Sequence, residues 1–239
     1  MKKLLSMAFC AAAMASFAAD ITLEDVGVTM VTLPAGQANT ILAVSFKELE
    51  TGADISISNL VRTTGLKAED RLLLFSGTKD TYSSWKLDTD GGKWVAAEKT
   101  FTVNKDGTLV EGEGDSPTEQ ASIGTGLWIV RADPTDAAQI ALYGAYVDPS
   151  APEVKKDTWC LVGNPQQTTW TISTGDVGDR LVAVNEKGIL RTYQYKSDGW
   201  GYVTYAEDGT PTRNVVNPTI EAGKGFWYRS ATDKTALSF

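Results

Sequence analysis

Histidine is absent from this chain of 239 residues. It is the side chain that titrates nearest neutral pH, so its absence excludes Ser-His-Asp and Cys-His catalysis and any imidazole metal site. Cysteine is almost absent as well, with only Cys10 and Cys160. If Cys10 belongs to a leader that is removed, Cys160 has no partner for an intramolecular disulfide, and the core alone must supply stability. In Trp159-Cys160-Leu161-Val162 it reads as a small buried apolar residue, not as a nucleophile. Positive charge is in deficit, with 22 Lys and Arg against 30 Asp and Glu, a net charge of -8. That balance argues against nucleic acid or anionic lipid as a partner.

Carboxylate, Lys, Tyr and carbonyl chemistry remain. Asp88-Thr89-Asp90-Gly91 resembles the opening of a calcium loop, but a Glu-terminated ligand set does not follow, and the chain runs into Lys93-Trp94-Val95. It is read as a turn, like Asp106-Gly107, Asp198-Gly199 and Asp208-Gly209, because Asp tolerates and Gly favours positive φ. No catalytic, cofactor-binding or metal-ligating residue is assigned, and no cofactor is expected.

Met1-Lys2-Lys3 precedes a short apolar stretch from Leu4 to Ala15 that closes on Ser16-Phe17-Ala18. A basic start, a short apolar centre and small residues at the exit predict a secretory signal peptide over residues 1–18, cut after Ala18 or Ala19. The stretch falls short of the ~20 apolar residues that span a bilayer, so no membrane span is expected after cleavage. Lipidation at Cys10 is disfavoured by Phe9 before it and by the apolar run beyond it.

With 42% hydrophobic residues, 22 glycines and short aromatic or β-branched runs, the remaining chain reads as strands. It also repeats itself. Gly124-Thr125-Gly126-Leu127-Trp128 returns as Gly223-Lys224-Gly225-Phe226-Trp227, and Asp70-Arg71-Leu72 returns as Asp179-Arg180-Leu181. Trp85 to Trp94 and Tyr193 to Trp200 each place a polar turn between aromatic runs, a hairpin signature in both copies. The first copy carries an additional hairpin around Asn104-Lys105-Asp106-Gly107, and a short helix is expected over Ser58 to Arg62. The prediction is an all-β fold of two tandem small antiparallel β-sandwich or barrel modules from an internal duplication. Their expected bounds are 19–147, with an N-terminal strand region and a turn at Pro34-Ala35-Gly36-Gln37, then a Pro-rich charged linker over 148–157, then 158–239.

The glycine pairs invite a phosphate-loop reading. Such loops connect a strand to a helix, whereas here a Trp and an alternating strand follow. Gly124, Gly126, Trp128, Gly223, Gly225 and Trp227 are therefore expected to be structural, the glycines permitting a tight turn and close approach before an inward-packing Trp. Trp170 and Tyr205 have no counterpart in the other copy and are the candidate ligand-stacking residues.

The second copy, from Trp159-Cys160-Leu161-Val162-Gly163-Asn164-Pro165 through Ile220-Glu221-Ala222-Gly223-Lys224-Gly225-Phe226-Trp227 to Thr235-Ala236-Leu237-Ser238-Phe239, resembles a β-rich repeat module of exported bacterial proteins. Its pattern is W-x-L-V-G-x-P, an aromatic hairpin, then I-x-x-G-x-G-[FY]-W. The first copy departs at its opening, where Ile41 to Phe46 replaces the W-x-L-V-G-x-P strand. The resemblance implies a surface or secreted protein, periplasmic, cell-surface or extracellular, with no activity attached to it. The expected function is a structural or interaction protein that meets an unknown protein or glycan at the cell surface. A carbohydrate-binding module using exposed aromatics and a secreted enzyme using carboxylates are the alternatives. An outer-membrane barrel is suggested by the terminal Phe239, but Ile140-Ala141-Leu142-Tyr143 closes the first copy in the same way.

Overall fold

The computed structural model describes residues 26–234 and 237, apart from 50–51, 60, 76–80, 89–92, 104–108, 114–119, 147–152 and 186–188. The expected leader, most of the turns at 88–91 and 104–107, much of the linker and the terminal Phe239 lie outside the described residues. Strands are numbered in chain order. All described sheets are antiparallel, and no sheet closes into a barrel, which decides for the sandwich among the two expected architectures.

The first six-stranded sheet runs β2 (Asn39–Ala43), β10 (Gly126–Val130), β5 (Arg71–Phe75), β6 (Thr81–Leu87), β7 (Trp94–Val103) and β8 (Leu109–Glu113). The second runs β12 (Trp159–Gly163), β19 (Gly225–Arg229), β14 (Arg180–Val184), β15 (Leu190–Lys196), β16 (Gly199–Tyr205) and β17 (Pro211–Val215). Ranked by position in the chain, the strands of both sheets follow one order: the last strand sits between the first and second, and the rest follow as consecutive hairpins. Register agrees as well. Leu72 opposes Ile129 and Trp85, and Leu181 opposes Tyr228 and Tyr193.

Leu72, Leu73 and Leu74 are consecutive and all buried, as are Leu127, Trp128 and Ile129. Unbroken apolar runs of this kind belong to strands covered on both faces. One face of the first sheet, with Leu72 and Leu127, packs on a three-stranded sheet of β1 (Val26–Leu33), β11 (Ala138–Ala145) and β4 (Val61–Thr64), through Val31, Leu33, Ile140 and Leu142. The other face, with Ile41, Leu73 and Trp128, packs on Leu161 and Trp227 of the second sheet. A third cluster lies on the far side of that second sheet and gathers Val162, Leu181, Trp200, Phe226 and Tyr228 with Ile172 and Ile220.

Two small two-stranded sheets complete the fold, β3 (Ile55–Ser56) with β9 (Gln120–Ala121) and β13 (Trp170–Thr171) with β18 (Thr219–Ile220). The expected helix over 58–62 is instead a 3-10 turn at Ile57–Asn59 leading into β4. Val61, Thr63 and Thr64 are β-branched, and β11 offers them a ladder that a five-residue helix could not match. No described helix is long and apolar enough to cross a membrane.

Candidate functional site

The six residues of the two G-x-G-x-W boxes lie at the seam between the six-stranded sheets. Gly124 and Gly223 have φ of 83° and 72°, the left-handed region in which a Cβ is strained. Gly126 and Gly225 are needed for a different reason. A Cβ on Gly126 would lie 2.6 Å from Leu161 Cγ, and one on Gly225 would lie 2.6 Å from Ile41 Cγ2. These approaches let the backbones bond across the seam: Gly163 N donates to Gly124 O at 2.7 Å, and Ala43 N donates to Gly223 O at 2.8 Å. Each box thus grips the edge strand of the other sheet, and the exchange is reciprocal.

Trp128 and Trp227 meet edge to face at the centre, with ring centroids 5.0 Å apart and planes at 87°. Both are buried. The expected inward packing takes a particular form, for each ring leaves its own sheet's main core and turns to the other sheet. Both indole donors are satisfied by the first sheet, Trp128 Nε1 by Asn39 Oδ1 at 3.2 Å and Trp227 Nε1 by the Tyr82 hydroxyl at 3.0 Å. Backbone groups that bond their own chain are not free to cradle a phosphate.

The Asp of each Asp-Arg-Leu motif has a role that its repetition alone does not disclose. Asp70 is fully buried, accepting from Lys67 N and Ala132 N at 2.9 Å each. Asp179, equally buried, accepts from Asp176 N at 2.9 Å and Ala231 N at 2.7 Å. In both halves a carboxylate pins the turn before one strand to the chain leaving the G-x-G-x-W strand. Asp179 also accepts from the Tyr228 hydroxyl at 2.5 Å, and burial together with that carboxylate pushes the Tyr228 phenol above its ordinary range.

The two candidate stacking residues lie on different sheets. Trp170, on β13, is half-buried against the second-sheet core, and its Nε1 donates to Gln166 Oε1 at 3.0 Å. Tyr205, at the end of β16, is 73% exposed. Val203, Val215 and Leu190, on β16, β17 and β15, are exposed on the same face of that sheet. Cys160 donates to Tyr228 O at 3.3 Å, and burial pushes its thiol up to about 12, far from a nucleophile's range. Among the described residues no group of three or more acidic or thiol ligands could hold a metal ion.

Comparison of the chain with protein-family models, with curated proteins and with solved structures finds no match.

Proposed function

We propose that this is an exported bacterial interaction protein, acting in the periplasm, at the cell surface or outside the cell, without chemistry of its own. The observation that carries the reading is the row of solvent-facing apolar side chains on the distal strands of the second sheet, Leu190, Val203, Tyr205 and Val215. Large exposed apolar side chains gathered on one face mark contact surfaces on soluble proteins. The leader-like start supports export, and the partly buried Cys160, its thiol raised out of a nucleophile's range, and the absence of histidine support a non-catalytic role. We further infer that the two halves arose by duplication and that the chain belongs with the exported β-rich repeat modules it resembles. Shared strand order, shared register and the reciprocal seam support that origin.

Exposure of Tyr205 favours a second reading, a glycan-stacking platform, in which Trp170 would contribute less because its indole is already engaged. Two measurements test these readings. Fractionation of cells expressing the full chain should recover a shortened product in the exported fraction, and an uncleaved cytoplasmic product would reject export. A glycan array should show no Tyr205-dependent binding, and binding abolished by Tyr205→Ala would establish the second reading in place of the first.

A further inference from the structure

The two six-stranded sheets have four edge strands, and three are unsuited to pairing. β2 and β12 are closed off by bridges across the seam, Leu42 to Lys224 and Thr125 to Val162. β8 is acidic in sequence, Leu-Val-Glu-Gly-Glu. The fourth, β17, reads Pro-Thr-Arg-Asn-Val.

Its free groups follow from register. Val216 N donates to Trp200 O and Ala206 N to Thr210 O, each at 3.0 Å. Hydrogen-bonded pairs alternate along an antiparallel ladder, so Thr212 and Asn214 also turn their backbone groups to β16. Arg213 and Val215 therefore direct N–H and C=O outward, as Pro211 does its C=O. Side chains of directly paired residues share a face, which puts Arg213 and Val215 with Gly201, Val203 and Tyr205. This face continues the one that seats Trp227 and Val182 at the seam.

Proline and charge are the usual guards of an exposed edge. Neither guards this one. Pro211 stands at one end, and the Arg213 side chain folds back over Gly201, where an added Cβ would lie 3.0 Å from its Cζ. Its guanidinium donates to both Asp198 carboxylate oxygens, at 3.0 and 3.2 Å, and to Gly199 O at 2.8 Å. The charge is neutralised within the chain and drawn away from the edge.

We infer that β17 pairs with β17 of a second copy of this chain, about a two-fold axis through Arg213. In that register the two Arg213 residues exchange both backbone hydrogen bonds, and Val215 N–H of each copy reaches Pro211 C=O of the other. Across the sheet, Tyr205 and Pro211 of one copy line up with Val215 of the other, so the exposed apolar side chains cover one another. A peptide lacking this sequence would not supply the matched apolar row. The pairing does not depend on the proposed function, since a chain that binds nothing else can still self-associate.

Sedimentation of the purified chain over a concentration series tests it. A reversible monomer–dimer equilibrium is expected. Val215→Pro removes the outward N–H without touching the bonds to β16, and Val215→Lys with Tyr205→Lys places like charges in the row. Each should weaken dimerisation at least ~10-fold while the melting temperature stays near wild type. Val95→Lys, on an exposed residue of the other sheet, should leave dimerisation unchanged. A chain that stays monomeric throughout, or a dimer indifferent to both β17 variants, overturns the inference.

Discussion

A carboxylate at the head of a strand is ordinarily solvated, and Asp70 and Asp179 have no exposure at all. What keeps them buried is the set of donors that converge on them. Removing the carboxylate would orphan those donors, at about 1–3 kcal/mol for each one left buried and unpaired. Asp179 serves the Tyr228 hydroxyl and, at 3.4 Å each, Ser230 Oγ and the Lys234 ammonium in addition to two backbone N–H groups, whereas Asp70 serves two backbone N–H groups. Asp179→Ala should therefore lower the denaturant midpoint more than Asp70→Ala, and an equal or reversed order would contradict this account. Cys160 gives a second expectation at this scale. With burial holding the thiol protonated, maleimide at pH 8 should label it slowly in the folded chain and rapidly in denaturant. Equal rates in the two states would mean that the strand pair β12–β19 does not shelter it.

Strands β10 and β19 each expose one face to their own core and the other to the seam, and the Trp residues stand on the seam side. Trp128→Ala and Trp227→Ala should each cost about 3–5 kcal/mol, as buried aromatic truncations do. Because the rings contact each other, the double variant should depart from the sum of the singles by roughly 0.5–3 kcal/mol. Additive losses measured by denaturant unfolding would show that the rings act separately. The sequence marked these elements by repetition, and the short apolar, aromatic run in each box marked them as strands. It did not mark their partner, since an inward-facing Trp has the same pattern whether it meets its own core or a neighbouring sheet.

Over the whole molecule, pH should act mainly in the acid range. Asp133, drawn down to about 2 by the Lys67 ammonium and by Thr135, and Asp176, Asp198 and Asp208, lowered chiefly by Lys234, Arg213 and the Thr210 N–H, all have folded values below that of a free aspartate near 4. Depressed values mean that the unfolded chain binds these protons first. Their stabilisation is thus complete above about pH 4 and is lost as pH falls through the folded values, toward about 2 for Asp133. The groups are exposed, so the loss should be gradual. Melting temperature should hold between pH 8 and 5, where no histidine titrates, and decline below 4; a steep fall near pH 6 would contradict the assignment. Chelator should leave melting unchanged, and a drop of several degrees would reveal a structural ion.

The strand content and the order of hairpins were legible in the chain, because each depends on neighbours within a few residues: short aromatic and β-branched runs, and turn chemistry. The helix expected over 58–62 failed for the converse reason, since β11 lies some 80 residues away along the chain and its ladder outweighed local preference. Sandwich against barrel, the pairing of Trp128 with Trp227, the burial of Asp70 and Asp179 and the open edge at β17 were decided only in three dimensions. Each is a statement about what one element meets on another, and sequence periodicity records that a side chain is buried without recording against what.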